Sequence, residues 1–144
     1  MLQVSDRPAP IPSRETQPFW DGCAQGQLLL QQCSGCQSYR HPPSPICPDC
    51  LSIEHHWVPA SGRGTVYTFS VVRHAFRHRW ERLVPYVLAV IELAEGPRLL
   101  SNVVDIPAEE VQIGMEVELI FEPISETMKL PLFRARPSDR GKTP

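Results

Sequence analysis

Two pairs of cysteines constrain this chain more than any other feature of its sequence. Cys33 and Cys36 form one C-x-x-C pair, and Cys47 and Cys50 form a second pair after ten intervening residues. Two such pairs at this separation are typical of a tetrahedral site with four thiolate ligands, which predicts bound zinc. Because four cysteines leave no coordination position open, the predicted zinc stabilises the fold and does not catalyse. Two disulfides, four unrelated thiols, or iron held by the same ligands are the alternatives that the spacing leaves open.

The segments around the cysteine pairs predict a short helix and two strands. Thr16 is a candidate helix N-cap, and Gly26 is a candidate for the end of the same helix. Residues 28–32 predict a strand that leads into the first pair, and residues 54–58 predict a strand that returns after the second. The unit over about residues 27–58 has few apolar residues, so metal binding is expected to supply much of its folding free energy.

The second half of the chain has the composition of a β structure. Five segments are rich in β-branched, aromatic or alternating apolar residues: 64–72, 85–93, 98–104, 116–122 and 130–135. Five short strands with a long loop after the first predict a closed Greek-key barrel of the OB type, with an open antiparallel sheet as the alternative. Pro131 lacks a backbone donor, so the last strand is predicted to lie at the edge of the sheet. The predicted fold class is mainly β: a short N-terminal helix and a metal-binding ribbon, then a five-stranded OB barrel.

These patterns divide the 144 residues into four parts. The predicted parts are a proline-containing extended arm over 1–15, the helix and ribbon over 16–58, the barrel over 59–137 and a flexible tail over 138–144. No apolar run approaches the roughly 20 residues of a membrane span, and the N-terminus has no signal-peptide pattern. Since thiols reserved for a metal are typical of a reducing compartment, we expect the protein in the cytoplasm.

A basic loop follows the first predicted barrel strand. Residues 73–82 hold four arginines, two histidines and two aromatic residues. Arginine side chains bind phosphates well, and an aromatic ring can stack on a base. The candidate contacts for phosphate or for coenzyme A are therefore Arg73, Arg77, Arg79 and Trp80. Nucleic acid is the second candidate ligand, although the net charge of −2 weighs against it. A solvated loop without a ligand is the third interpretation.

The sequence does not predict a catalytic centre within this chain. It has no serine in a G-x-S-x-G elbow and no recognisable pair of catalytic carboxylates. Cys23 is the one cysteine left outside the metal site, and it lies on the side of the predicted helix that carries Phe19 and Trp20. We therefore expect Cys23 to be a buried structural thiol, and we expect no catalysis by the chain itself.

Motifs along nearly the whole chain carry a resemblance to a known family. They lie at residues 19–22, 26–33, 47–50, 61–67, 85–87, 95–102, 113–115 and 130–133. Together they resemble the bacterial and archaeal "domain of unknown function thirty-five" family, whose members join a rubredoxin-like zinc ribbon to an OB-fold. All four ribbon cysteines match, whereas His41 stands where many relatives have an aromatic residue. Because the loop over 73–82 is variable in the family, the resemblance implies no ligand role for it.

The resemblance implies an accessory subunit of thiolase-like enzymes that act on acyl-CoA or acyl substrates of lipid, steroid or polyketide metabolism. In such complexes the partner carries the catalytic residues, and a further synthase or hydratase subunit can be present. The small subunit supports the assembly, and in some complexes its barrel helps to line the CoA channel. We therefore expect a non-catalytic, zinc-binding scaffold of a thiolase-like acyltransferase or aldolase.

Two other functions compete with this expectation. Ribbons and OB barrels commonly bind nucleic acid, so a single-stranded nucleic-acid-binding protein is the main alternative. A stand-alone hydrolase or lyase that uses Cys23 or a histidine is the weaker one, because no activated nucleophile is visible.

Overall fold

The computed structural model describes residues 7–137, so the predicted tail and the first six residues of the predicted arm lie outside the described residues. The helix and ribbon strands are α1 (Gln17–Ala24), β1 (Leu29–Cys33), β2 (Tyr39–Arg40) and β3 (His55–Pro59). The barrel strands are β4 (Arg63–Val72), β5 (Tyr86–Leu93), β6 (Arg98–Val104), β7 (Glu116–Pro123) and β8 (Lys129–Ala135). Short 3-10 helices occupy His78–Trp80 and Ala108–Glu110. The predicted fold class, mainly β with one short helix, a ribbon and a barrel, is confirmed.

The ribbon is a three-stranded antiparallel sheet with β1 in the centre. Its strand order is β2-β1-β3, and Cys33 at the end of β1 lies opposite His55 at the start of β3. The strands predicted over 28–32 and 54–58 are present. The short strand β2 was not predicted: its residues stand in a segment that reads as a proline-containing loop, and only pairing with Gln31 and Gln32 makes them a strand.

The helix α1 packs closely on the ribbon. Gly26 follows it with a φ of 77°, a conformation that glycine adopts at low cost. A Cβ atom on Gly22 would lie 2.7 Å from the Leu29 side chain, so only glycine permits this approach. Thr16 occupies the N-cap position, but its side chain makes no cap bond to the helix. It accepts instead from the Ser13 N–H at 2.8 Å, because residues 13–16 already form a turn ahead of the helix.

The five strands after the ribbon close into a barrel with OB topology. Their order is β4-β5-β6-β8-β7, and β7 pairs back onto β4. Neighbouring strands are antiparallel except β6 and β8, which run parallel. A closed barrel has no free sheet edge, so the alternative of an open sheet is wrong.

The prediction that β8 is an edge strand is also wrong. Its neighbours are β6 on one side and β7 on the other. The parallel ladder with β6 begins at Phe133, two residues beyond Pro131, so the missing proline donor interrupts no bond of that ladder. The Pro131 carbonyl accepts from the Ser101 hydroxyl at 2.7 Å, which supplies a side-chain link to β6 at that level.

The barrel interior and the helix share one apolar core. Val66, Ile91, Val117 and Phe133 are at most 1% exposed inside the barrel, and Phe19 of α1 joins the same cluster at 4%. The helix contacts both β1 and β8, so it connects the ribbon to the barrel wall. This arrangement gives the small ribbon apolar packing that its own sheet does not supply.

The described part of the predicted arm lies against the barrel at one point. The Arg7 guanidinium donates to Glu122 Oε1 at 3.1 Å and to Asn102 Oδ1 at 3.0 Å. Its side chain is only 11% exposed, whereas Ile11 further along is 94% exposed. No helix within residues 7–137 is both long enough and apolar enough to cross a membrane.

Candidate metal centre and basic loop

The four predicted ligands lie together at one end of the ribbon. The Sγ atoms of Cys33, Cys36, Cys47 and Cys50 all lie within 4.8 Å of one another. Cys33 and Cys50 are 3.5 Å apart at sulfur, and Cys36 and Cys47 are 3.6 Å apart. Zinc–sulfur bonds of about 2.3 Å in a tetrahedral shell set the sulfurs about 3.8 Å apart, close to these separations. A disulfide needs about 2.05 Å, so the geometry fits a metal ion and not disulfides.

Each cysteine pair sits on a tight turn that the backbone closes. The Gln37 N–H donates to the Cys33 carbonyl at 3.0 Å, and the Leu51 N–H donates to the Cys47 carbonyl at 2.9 Å. Gln37 and Leu51 each have a φ of 63°, in the left-handed region that side chains disfavour. The two turns therefore have the same backbone conformation, and both direct their sulfur atoms toward the same cluster.

Hydrogen bonds around the site favour negative sulfur. The Cys36 backbone N–H lowers the pKa of Cys33. The Cys50 backbone N–H and the Ser38 hydroxyl lower the pKa of Cys47 to about 6. The Ser52 N–H acts to lower the pKa of Cys50, but the Cys33 thiol, desolvation and the other two thiols together raise it to about 12. Four thiolates repel one another unless a cation lies between them, so this cluster is suited to a divalent metal ion.

A buried polar network behind the site was missed by sequence reasoning. The Arg40 guanidinium is 7% exposed and donates to Gln31 Oε1 at 2.7 Å and to the Ser44 carbonyl at 2.9 Å. The same Gln31 oxygen accepts from the Ser44 N–H at 2.9 Å. These bonds fix the loop between the cysteine pairs to β1. Its members follow no helix or strand periodicity, so no sequence pattern revealed it.

The structure separates the four predicted contacts of the basic loop. Arg73 forms an ion pair with Glu109 at 3.3 Å, and the Trp80 ring packs on Tyr86 with centroids 5.8 Å apart. Arg77 and Arg79 are exposed, and within residues 7–137 neither has an ion-pair partner. Arg82 is likewise exposed and outside every ion pair of the described residues, so the loop presents three available guanidinium groups beside an anchored tryptophan.

Cys23 lies inside the shared core, away from the four-cysteine site. Its side chain is fully buried, and burial raises the pKa of the thiol to about 12. The thiol is therefore protonated at neutral pH, and a buried, protonated thiol is a poor nucleophile.

A second feature that the sequence did not reveal is an apolar cleft between ribbon and barrel. Its volume is about 330 Å³. The residues that line it include Phe19, Trp20, His41, Pro42, Leu100 and Leu132. The His41 ring lies 5.1 Å from the Phe19 ring between centroids, and burial lowers the pKa of His41 to about 4. Four segments that are far apart in sequence form this cleft, so it exists only in the folded chain.

The fold and the four-cysteine site together define a class of proteins in which a zinc ribbon precedes an OB-fold. Two family models match the chain in that order. The rubredoxin-like zinc ribbon domain of ChsH2 matches residues 20–55, and the C-terminal OB-fold domain of ChsH2 matches residues 57–122.

Relatives place the chain within one family. A "DUF35 domain-containing scaffold protein" of Methanocaldococcus jannaschii is 43% identical over 100 residues, which are 69% of this chain and 70% of that protein. A "Probable enoyl-CoA hydratase alpha subunit" of Thermomonospora curvata is 38% identical over 128 residues, 89% of this chain but 40% of that protein. The chain thus spans less than half of this longer relative. The "Benzoylsuccinyl-CoA thiolase subunit BbsA" of Geobacter metallireducens is 32% identical over 79 residues, 55% of this chain and 51% of that protein.

A solved structure shows the same architecture. A chain of the "Ltp2-ChsH2(DUF35) aldolase" superposes with a TM-score of 0.81 at 37% identity, covering 88% of this chain and 98% of that one. The protein belongs to the DUF35 family, the family of zinc-ribbon and OB-fold proteins that the sequence motifs resemble.

Proposed function

We propose that this chain is a non-catalytic, zinc-binding subunit of a thiolase-like acyltransferase or aldolase that acts on acyl-CoA substrates in the cytoplasm. The observation that carries the proposal is the likeness along 88% of the chain to a chain of the Ltp2-ChsH2(DUF35) aldolase. Two further relatives are named as subunits of enzymes that act on CoA thioesters, one a hydratase and the other a thiolase. The helix and ribbon over 16–58 would form one functional part, and the barrel over 59–137 the other.

The chemistry of the four ribbon cysteines favours a structural role for the metal over a catalytic one. Cys33, Cys36, Cys47 and Cys50 fill all four positions of a tetrahedral metal, so a bound zinc would have no position for a substrate. Zinc, when bound, joins the two turns and thereby stabilises the ribbon. Cys23 is buried and protonated, so the catalytic residues would come from the partner subunit.

Co-expression with a thiolase-like protein encoded beside this chain tests the proposal. We expect the two proteins to elute together at micromolar concentration, and we expect acyl-CoA turnover to require both. A further synthase or hydratase subunit would appear in the same peak. Separate elution, together with full activity of the partner alone, would refute the proposed function.

The basic loop supports a finer proposal for coenzyme A. The guanidinium groups of Arg77 and Arg79 are exposed and have no ion-pair partner among residues 7–137. They are therefore available to bind the phosphates of CoA. Arg73 can join them if a phosphate replaces Glu109, and Trp80 offers a ring for the adenine. Arg77→Ala combined with Arg79→Ala should raise the KM for acyl-CoA in the complex without reducing kcat.

One observation favours nucleic acid as a second candidate. The loop over 73–82 joins the first two barrel strands, and this loop of OB barrels often binds single strands. Titration with a single-stranded oligonucleotide at two salt concentrations decides the matter, because phosphate-driven binding must weaken steeply with salt. Absence of binding at low salt would remove this candidate.

A further inference from the structure

The second cysteine turn exposes three large aliphatic side chains. Ile46 is 49% exposed, Leu51 is 75% exposed and Ile53 is 72% exposed. The Cys47 N–H donates to the Ser52 carbonyl at 2.8 Å, which brings together the backbone segments that carry Ile46 and Ile53. We name Ile46, Leu51 and Ile53 the knuckle patch. Single exposed aliphatic residues are ordinary, whereas several close together form an apolar patch of the kind typical of interaction sites.

Leu51 is the least expected residue of the knuckle patch. Its φ of 63° lies in the left-handed region, where glycine or asparagine is favoured over leucine. Its side chain is exposed, so no packing within residues 7–137 explains why leucine occupies this position. The turn itself sets this φ, so the feature that needs an explanation is the exposed apolar side chain and not the backbone strain.

The first cysteine turn provides an internal comparison. Gln37 has the same φ of 63° at the equivalent position, and it is exposed as well. Its side-chain amide donates to the Ser34 carbonyl at 3.1 Å, so this polar group is hydrogen-bonded within its own turn. The two turns thus have the same backbone conformation but differ in the side chains that they expose to solvent. The first exposes a polar amide, and the second exposes an aliphatic patch.

The charges around the knuckle patch indicate the chemistry of its partner. Asp49 and Glu54 are exposed beside it, and residues 41–62 contain no lysine or arginine. A surface that is apolar in the centre and acidic at the rim is complementary to an apolar pocket with a basic rim. The chain's own basic loop over 73–82 has the opposite charge but offers only one exposed large aliphatic or aromatic side chain, Phe76 at 91%.

We propose that the knuckle patch docks into an apolar, basic-rimmed pocket of the thiolase-like catalytic subunit, with Leu51 as the central contact. This inference rests on the proposed function, because that function supplies the partner. Leucine at this left-handed position slightly lowers the stability of the free chain, but in the complex its side chain makes a buried contact.

The test uses Leu51→Asn, with Gln37→Asn as the matched control. Both substitutions place asparagine at a φ of 63°, where it is tolerated better than the native residue. Each full-length variant is purified with zinc, and its affinity for the thiolase-like subunit is measured by isothermal titration calorimetry. Zinc content and melting temperature are measured on the same samples. We expect Leu51→Asn to weaken association by about tenfold or more. Its zinc content should be unchanged, and its melting temperature should be equal or higher. Gln37→Asn should bind like the native chain.

The outcomes are separable. Native affinity of Leu51→Asn for the catalytic subunit would overturn the inference while leaving the proposed function intact. Equal weakening by both variants would overturn it as well, since the effect would then come from the turns and not from the patch. A native chain that self-associates through Leu51 yet binds the catalytic subunit independently of it would assign the patch to a second copy. If the native chain does not bind the thiolase-like subunit at all, the proposed function fails, and this inference fails with it.

Discussion

The ribbon and the barrel reach a folded state by different means. The barrel closes five strands around residues that are almost fully buried, among them Val66, Ile91 and Phe133. The ribbon has three short strands, and its two turns meet at four sulfurs within 4.8 Å of one another. Apolar burial therefore stabilises one half, whereas the other depends on the docked helix α1 and on the metal ion that its four cysteines are positioned to bind. This contrast predicts that the two halves respond differently to the same kinds of perturbation.

The largest expected effect is loss of the metal. Cys33→Ser should release zinc and unfold the ribbon, because metal–ligand bonds supply on the order of 10 kcal/mol to such sites. The barrel should retain its β structure, and association with the catalytic subunit should be lost. Metal analysis and circular dichroism measure the first two effects, and gel filtration of the mixture measures the third.

Cys23→Ser is the matched control, since Cys23 is a buried thiol outside the four-sulfur cluster. It should keep its zinc. A Cys33→Ser chain that is free of metal but still assembles normally would contradict the comparison between the halves.

A smaller effect is expected from the barrel core. Phe133→Ala removes a side chain that is 0% exposed and should lower the free energy of unfolding by about 3–5 kcal/mol. Zinc content should not change, because the ribbon ligands lie elsewhere. Phe76→Ala serves as the control: this ring is 91% exposed, and its loss should cost less than about 0.5 kcal/mol. Urea unfolding followed by fluorescence measures both, and equal effects of the two variants would show that the core is placed wrongly.

The smallest of these effects concerns pH at the junction of the two halves. Burial lowers the pKa of His41 to about 4, whereas an unfolded histidine titrates near 6.5. Between these values the unfolded chain binds more protons, so stability falls as the pH drops through this window and is fully present above it. The loss between pH 7.5 and pH 5 should be about 2 kcal/mol.

His41→Phe keeps a ring beside Phe19 but removes the titrating group, so it should remove that part of the pH dependence. Urea unfolding of both chains at the two pH values measures the difference. Because both chains lose thiolate ligands equally at low pH, the comparison isolates the histidine. Identical slopes in the two chains would show that His41 is not buried as described.

The local features of this fold were predictable, and the features that depend on distant contacts were not. The cysteine pairs and the alternating strands are encoded within a few neighbouring residues, and both are present. The short strand β2, the inner position of β8 despite Pro131, and the cleft around His41 each require partners far away in sequence. The basic loop shows the same limit: the sequence placed Arg73 among its candidates but could not show its pairing with Glu109.

The position of α1 has a consequence for the life of the protein in the cell. Phe19 is buried between the ribbon and the barrel, where the helix contacts β8. If the ribbon unravels for lack of metal, the helix loses its support and uncovers apolar barrel surface around Leu132. Chaperones and proteases act on such surfaces, so a metal-free subunit would be removed before it met its partner. Under the proposed function, cellular zinc supply would thus set how many complexes are completed, even with no role for the metal in catalysis.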